Sequence, residues 1–190
     1  MSVCIPPVQH DEIPPESAEI LAALGERFPD SSAALLLTAA HSPVVLHAVI
    51  YQAATEAMCR LAPRLREGVA LRASELLDCA YNVSRYTASA LDAGLDIETI
   101  ASLRRGSSPD SKEQALLALT SKLVRDRGRH TRLVFDVARE LGIQHAEILE
   151  VIAIVSSVTF TSYLAGVACL ESDVSLGWQD EPRNDLKTGT

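Results

Sequence analysis

Aromatic residues are scarce in this sequence: they make up only 4% of its 190 residues, whereas 47% are hydrophobic. The core must therefore be built from Ala, Leu, Val and Ile, and a composition rich in Ala and Leu favours helices over sheets. A chain of this length is expected to form a single domain, spanning 1–190, with a sizeable core. We place that core at about 20–170 and interpret 1–15 and 171–190 as extended or tail segments.

A strongly basic patch is also missing, and we interpret the short basic cluster at 125–132 as a solvated helix end. The formal net charge is −8, so binding to nucleic acid is not expected. The four cysteines form neither a Cys-x-x-Cys pair nor a zinc-like cluster, and the sequence therefore predicts no metal and no other cofactor. The N-terminus lacks the charged region and apolar run of a signal peptide. We expect a cytoplasmic protein with free thiols.

One stretch, 151–170, contains no charged residue and is long enough to span a bilayer. Hydroxyl side chains interrupt it, and its flanks are the acidic Glu150 and Glu171 rather than Lys or Arg. We therefore expect a helix buried in an oligomeric core, and no membrane association. Its β-branched residues make a strand conceivable, but the length without a turn signal favours a helix.

Helix-start and helix-stop signals divide the chain into about eight helices, which predicts an all-α fold. Ser42-Pro43 and Ser108-Pro109 each predict a helix start, because a capping hydroxyl precedes a proline at the first helical position. Asp78 is predicted to cap a helix that begins at Cys79. Asp96 is predicted to cap another, which Gly106 ends.

The stretch REGVALRASELLDCAYNVSRY, 66–86, carries the chemistry-bearing residues. Glu67 stands twelve residues before Cys79, and Asn82 and Tyr86 follow that cysteine by three and seven residues. On a helix this spacing places the thiol, the amide and the phenol on one face. In the first helical turn, free N–H groups and the helix dipole would favour a thiolate at Cys79.

This stretch resembles the signature of the carboxymuconolactone decarboxylase and alkylhydroperoxidase D-like superfamily. In that signature, a helix carrying a glutamate leads into Cys-x-x-Cys-x-x-x-His. Glu67 and Cys79 fall on the first two positions, whereas Asn82 replaces the second cysteine and Tyr86 the histidine. The resemblance covers about 20–170 and implies an all-α fold that assembles into trimers or hexamers, with a dimer as the alternative.

The two replacements argue against the dithiol chemistry that the resemblance implies. Asn82 cannot form a disulfide, and Tyr86 is a poor base because the ordinary pKa of tyrosine is about 10. We therefore expect an acid/base enzyme of the decarboxylase, lyase or isomerase type that acts on a small molecule. Glu67 would be its acid/base and Tyr86 its proton donor or oxyanion partner, while Asn82 and Tyr81 would orient the substrate.

Two alternatives remain open. A peroxidase-related protein would use Cys79 as a catalytic residue, with an external thiol or a distant one such as Cys59 or Cys169 to resolve the sulfenic acid. A non-catalytic oligomeric binding protein would use Cys79 as a small buried residue and Glu67 as a partner of a surface arginine. We also expect the lone Trp178 to dock into a groove, here on another protomer.

Overall fold

The structure, a computed structural model, describes residues 5–24 and 33–170. Within these two segments it contains a short 3-10 helix at His10–Glu12, nine α-helices and no strand. The α-helices are α1 (Pro15–Leu24), α2 (Ala33–Ala39), α3 (Pro43–Met58), α4 (Pro63–Leu76), α5 (Ala80–Asp92), α6 (Ile97–Arg105), α7 (Ser111–Asp126), α8 (Arg132–Glu140) and α9 (His145–Ala168). The predicted all-α fold is confirmed, with one helix more than expected, and Trp178 lies outside the described residues.

Two of the predicted helix boundaries follow their capping signals closely. Ser42 is the N-cap of α3 and Pro43 its first residue. Asp96 is the N-cap of α6, where its Oδ1 accepts a hydrogen bond from the Thr99 backbone N–H at 2.7 Å. Gly106 ends α6 in the left-handed conformation, with a φ of 80° that an L-residue rarely adopts.

Two predicted starts are wrong. Asp78 does not cap α5: it has a φ of 55°, and Cys79 is itself the N-cap, so that α5 begins at Ala80. The start of α7 is capped by Asp110, whose carboxylate accepts from the Glu113 N–H at 2.7 Å. Ser108 lies before this cap: its hydroxyl accepts from the Asp110 N–H at 3.1 Å and donates to the Glu113 carboxylate at 2.5 Å.

Helix α4 lies at the centre of the fold and packs against α5, α6, α7 and α9. Most of its residues from Glu67 to Ser74 are buried, and its apolar side chains join a core built almost wholly from aliphatic residues. A second buried cluster lies between α2, the first half of α3, the start of α5 and the end of α9. The scarcity of aromatics thus leads to close packing of Ala, Leu, Val and Ile, as expected.

The long apolar segment is a helix throughout, and α9 runs over 24 residues. By length and composition α9 could cross a membrane, and half of its most apolar window is buried inside the protein. It packs against α2, α3, α4, α5 and α7. The Glu150 carboxylate accepts hydrogen bonds from the Arg60 and Leu61 N–H groups at 2.9 and 3.0 Å, which ties α9 to the α3–α4 connection.

Candidate functional site

A cavity of about 660 Å³ lies between α3 and the α4–α5 pair, with α9 forming one wall and α1 and α2 contributing apolar residues. Apolar side chains of α1, α2 and α3 line one side. Ionisable and hydroxyl side chains cluster on the other side. These polar lining residues are Glu56, Arg66, Glu67, Arg85, Tyr86, Ser89, Asp92, Ser157 and Thr161. The cavity is therefore amphipathic and has the size of a small-molecule site, which is roughly 300–1,000 Å³.

Glu67 reaches this cavity from the second turn of α4. Its side chain is only 4% exposed, and its Oε1 accepts a weak contact from Arg66 Nε at 3.4 Å. Its Oε2 is buried without a hydrogen-bond partner. Burial raises the pKa of Glu67, which the Ser89 hydroxyl and the Arg66 charge oppose and the charge of Glu56 reinforces. A buried carboxyl with a free oxygen is suited to holding a proton and passing it to a bound molecule.

Tyr86 reaches the same cavity from α5, and its hydroxyl lies 3.1 Å from both carboxylate oxygens of Glu56, to which it donates. The Ser157 hydroxyl of α9 also donates to Glu56 through a short hydrogen bond. Arg85 lies 3.6 Å from Glu56 and stacks on the Tyr86 ring at 4.5 Å. Burial raises the pKa of Tyr86 well above its usual range, and the Glu56 carboxylate adds to this effect. Tyr86 is thus a neutral hydrogen-bond donor.

The other predicted site residues lie elsewhere. Asn82 is fully buried, and its amide nitrogen donates to Val158 O, Thr161 Oγ1 and Ser162 Oγ at 3.2, 3.0 and 2.9 Å. It therefore joins α5 to α9. Cys79 and Tyr81, 9% and 6% exposed, pack in the cluster beside α2 and the end of α9. None of these three residues is among those lining the cavity.

The cysteines that the structure describes include both free thiols and a disulfide-bonded residue. Cys59 and Cys79 are free thiols. Cys169 is disulfide-bonded, which corrects the expectation that all thiols are free and removes it as a resolving thiol. Burial raises the pKa of Cys59, and nearby Glu150 adds to the effect, so its thiol form is favoured. Cys79 is the N-cap of α5, but its side chain makes no capping hydrogen bond to the helix N-terminus.

Sequence reasoning missed Glu56, Arg85 and Ser157. Glu56 is the only acidic residue of α3, which is otherwise mostly apolar, and a lone acid on such a helix is a signal that could have been used. Ser157 is one of many hydroxyls in α9, and nothing in the sequence distinguishes it. In the part of the chain that the structure describes, no group of three or more His, Cys, Asp or Glu side chains could hold a metal ion.

Comparison with known proteins agrees with the motif and the fold. Residues 47–122, from α3 into α7, match the model of the carboxymuconolactone decarboxylase family. This match covers less than half of the chain and supports the resemblance of the motif to the carboxymuconolactone decarboxylase and alkylhydroperoxidase D-like superfamily. No curated protein matches it.

Solved structures of similar fold include two that were named for their chemistry. One is a Cys→Ala variant of the debrominase Bmp8 in complex with 2,3,4-tribromopyrrole, with a TM-score of 0.71 and 16% identity over 92% of this chain and 94% of that one. The other is an uncharacterized peroxidase-related protein from Silicibacter sp. TM1040, with a TM-score of 0.73 and 16% identity over 91% and 92% of the two chains. At this identity the likeness establishes the fold alone.

Proposed function

We propose that this protein is an acid/base enzyme that acts on a small organic molecule by proton transfer, as a decarboxylase, lyase or isomerase does. The observation that carries the proposal is the carboxyl of Glu67, buried against the cavity with one oxygen unpartnered. A buried polar atom without a partner costs roughly 1–3 kcal/mol, which a bound ligand would recover by hydrogen bonding to it. The cost is thus consistent with a binding site.

Tyr86 supplies the second part of the proposed mechanism. Its hydroxyl faces the cavity and donates to Glu56 when no ligand is bound. A carbonyl oxygen of the substrate would compete for this donor as negative charge develops on it, and would be stabilised in the manner of an oxyanion hole. Arg85, in contact with both Glu56 and the Tyr86 ring, would hold the phenol in place.

The substrate class follows from the two sides of the cavity. The apolar side from α1, α2 and α3 suits a ring or short hydrocarbon body, and the polar side suits one carbonyl or carboxyl group. The debrominase of similar fold binds a tribrominated pyrrole, a small ring, and this supports a ring-sized ligand here. We expect small carbonyl-bearing rings to be the first compounds to test.

The peroxidase-related alternative, with Cys79 as the reactive thiol, has less support. Cys79 is a free thiol at a helix start, but it is 9% exposed and lies outside the lining of the cavity. The peroxidase-related alternative predicts that peroxide treatment forms a sulfenate on Cys79, which mass spectrometry would detect. An unmodified thiol under those conditions would reject this alternative.

We also propose that the protein is a homo-oligomer. Large apolar side chains lie exposed at regular spacing on α9, and others on α3 and α8. On α9 these are Leu149, Ile152, Tyr163 and Val167. Exposed apolar surface of this extent is typical of a subunit interface. Analytical ultracentrifugation would show a trimer or hexamer, or a dimer, whereas a monomer would contradict this proposal.

The proposed chemistry is tested by solvent-proton exchange. The wild-type protein is incubated in D2O with cyclohexanone, cyclohex-2-enone and an unsaturated γ-lactone, and deuterium incorporation is followed by mass spectrometry. We expect exchange above the buffer rate with at least one compound. At C4 of cyclohex-2-enone, the carbon distant from the carbonyl group, we expect a loss of about 10²–10⁴-fold in Glu67→Gln. Wild-type exchange at C4 in the Glu67→Gln protein, or no exchange by the wild type with any of the three compounds, would reject the proposal.

A further inference from the structure

Glu56 is an acidic residue that neither the signature motif nor the proposed roles of Glu67 and Tyr86 account for. It lies in the last turn of α3, lines the cavity, and has a side chain that is 12% exposed. Every neighbour that contacts its carboxylate is a donor or a cation: two hydroxyls and one guanidinium. Because an ionised carboxylate only accepts hydrogen bonds, this environment suits the charged form.

Glu67, in the same cavity, has the opposite environment. Its side chain is more deeply buried, its contact with Arg66 is long at 3.4 Å, and its Oε2 has no partner. Such surroundings favour the neutral carboxylic acid. Glu56 and Glu67 are near enough for their charges to interact. When one carboxyl group has surroundings that favour the charged form and its neighbour has surroundings that favour the neutral form, the two can act as an acid–base pair.

We propose that Glu56 is the general base of this pocket and Glu67 its general acid, and that together they catalyse an isomerisation in which a proton moves between two carbons of a carbonyl compound. This inference rests on the proposed function and names its reaction class. It adds a catalytic residue from α3, outside the segment that carries the signature motif.

The proposed steps balance without an oxidant or a reductant. The substrate is a β,γ-unsaturated carbonyl compound. Glu56 takes a proton from the carbon between the carbonyl group and the C=C bond, and the electron pair of the broken C–H bond forms a conjugated dienolate. Tyr86 donates to the dienolate oxygen. The carboxylic acid of Glu67 then gives its proton to the far carbon of the former C=C bond, the C=C bond shifts next to the carbonyl group, and the carbonyl double bond re-forms. After the product leaves, the proton on Glu56 returns to Glu67 through water, which restores both groups.

The contacts of Glu56 also explain how its carboxylate becomes accessible when substrate binds. In the ligand-free pocket the Tyr86 hydroxyl donates to both Glu56 oxygens at 3.1 Å. When the phenol turns to the carbonyl oxygen of the substrate, Glu56 loses this donor while keeping Ser157 and Arg85. The turn of the phenol therefore exposes a lone pair of the Glu56 carboxylate to the substrate.

The test uses cyclohex-3-enone as the probe, and its conversion to cyclohex-2-enone is followed by the ultraviolet absorbance of the conjugated product. Glu56→Gln keeps the length of the side chain and one acceptor oxygen, and we expect it to lower kcat by about 10²–10⁴-fold with little change in KM. Formate should restore activity to Glu56→Ala, since it replaces the missing base. Glu75→Gln, which breaks the ion pair with Arg104 away from the cavity, is the matched control and should keep wild-type activity.

The outcomes separate this inference from the proposed function. Wild-type isomerisation by Glu56→Gln, with deuterium exchange lost in Glu67→Gln, would overturn the role of Glu56 and leave the proposed function standing. Deuterium exchange without isomerisation by the wild type would overturn the reaction class alone. No exchange and no isomerisation by the wild type would overturn both. A Glu56→Ala protein that melts as the wild type does but is not rescued by formate would also count against the base.

Discussion

Helix α5 contains two regions that differ in what they face. Its N-terminal end, with Cys79 and Asn82, packs against α9 and the neighbouring apolar cluster. There the Asn82 amide nitrogen donates hydrogen bonds to three acceptors of α9. Its middle, with Arg85 and Tyr86, faces the cavity and the carboxylate of Glu56. The part of the motif that aligns with the dithiol positions thus makes packing contacts, and the part that contains Arg85 and Tyr86 lines the cavity.

The largest effect expected from this comparison concerns two tyrosines of α5. Tyr86→Phe removes the donor in the cavity and should lower the rate of solvent-proton exchange by about 10²-fold. Tyr81→Phe removes the same phenolic hydroxyl from a residue of the same helix that does not line the cavity, so it should change the exchange rate by much less. Deuterium incorporation measured in parallel compares them. Equal losses in the two variants would remove the distinction between the regions and restore Tyr81 as an orienting residue.

A large effect on stability is expected at the packed end. Asn82→Ala removes the amide donor to two hydroxyls of α9 and to the Val158 carbonyl, which keeps the Ser162 hydroxyl as a donor, so it should lower the free energy of unfolding by about 2 kcal/mol. Ser84→Ala removes a buried hydroxyl that has no partner, and is expected to be neutral or slightly stabilising. Urea unfolding followed by circular dichroism gives both values. A neutral Asn82→Ala would mean that the α5–α9 contact does not depend on the amide.

A smaller effect concerns how stability changes with pH. Because the pKa of Glu67 is raised in the folded protein, the unfolded chain loses this proton first, and the wild type loses stability as pH rises from about 4.3 towards the folded pKa. Glu67→Gln cannot ionise and should lack this loss. The difference in free energy of unfolding between the two proteins should therefore grow in favour of the variant over that range and then level off. A difference that is independent of pH would contradict the raised pKa.

The smallest effect is expected from Cys79→Ser. Its thiol lies outside the cavity lining, so exchange and isomerisation should stay close to the wild-type rates. The matched comparison is Glu67→Gln, assayed with the same compound. A loss in Cys79→Ser as large as that in Glu67→Gln would return the thiol to the chemistry and favour the peroxidase-related alternative.

The sequence allowed the helical fold to be predicted, and it singled out two residues that line the cavity. Periodicity and capping residues specify local structure, so the boundaries at Ser42 and Asp96 were predicted correctly, and the motif singled out Glu67 and Tyr86. The error at Asp78 arose because an acid before a helix can equally end the previous helix in a left-handed turn. That choice depends on how α4 and α5 connect, which propensity does not determine.

The rest of the site depends on tertiary contacts. Glu56 and Ser157 meet although 101 positions separate them in the chain, and no local pattern reports such a contact. Asn82 shows the converse: a polar residue at a motif position looks functional, yet its partners lie 76 to 80 positions away on α9. The helices that surround a buried polar side chain determine whether it lines a cavity or makes a packing contact.

The most direct test of the central claim is the protonation state of the Glu67 carboxyl itself. Infrared spectra of the wild type and Glu67→Gln are recorded across a pH series, and their difference isolates the carboxylic acid band of this residue. We expect the band to persist in the wild type to pH values above the ordinary glutamate pKa of about 4.3. A band that disappears at or below that value would show that Glu67 is an ordinary ionised carboxylate, and would contradict its role as the acid of the pocket.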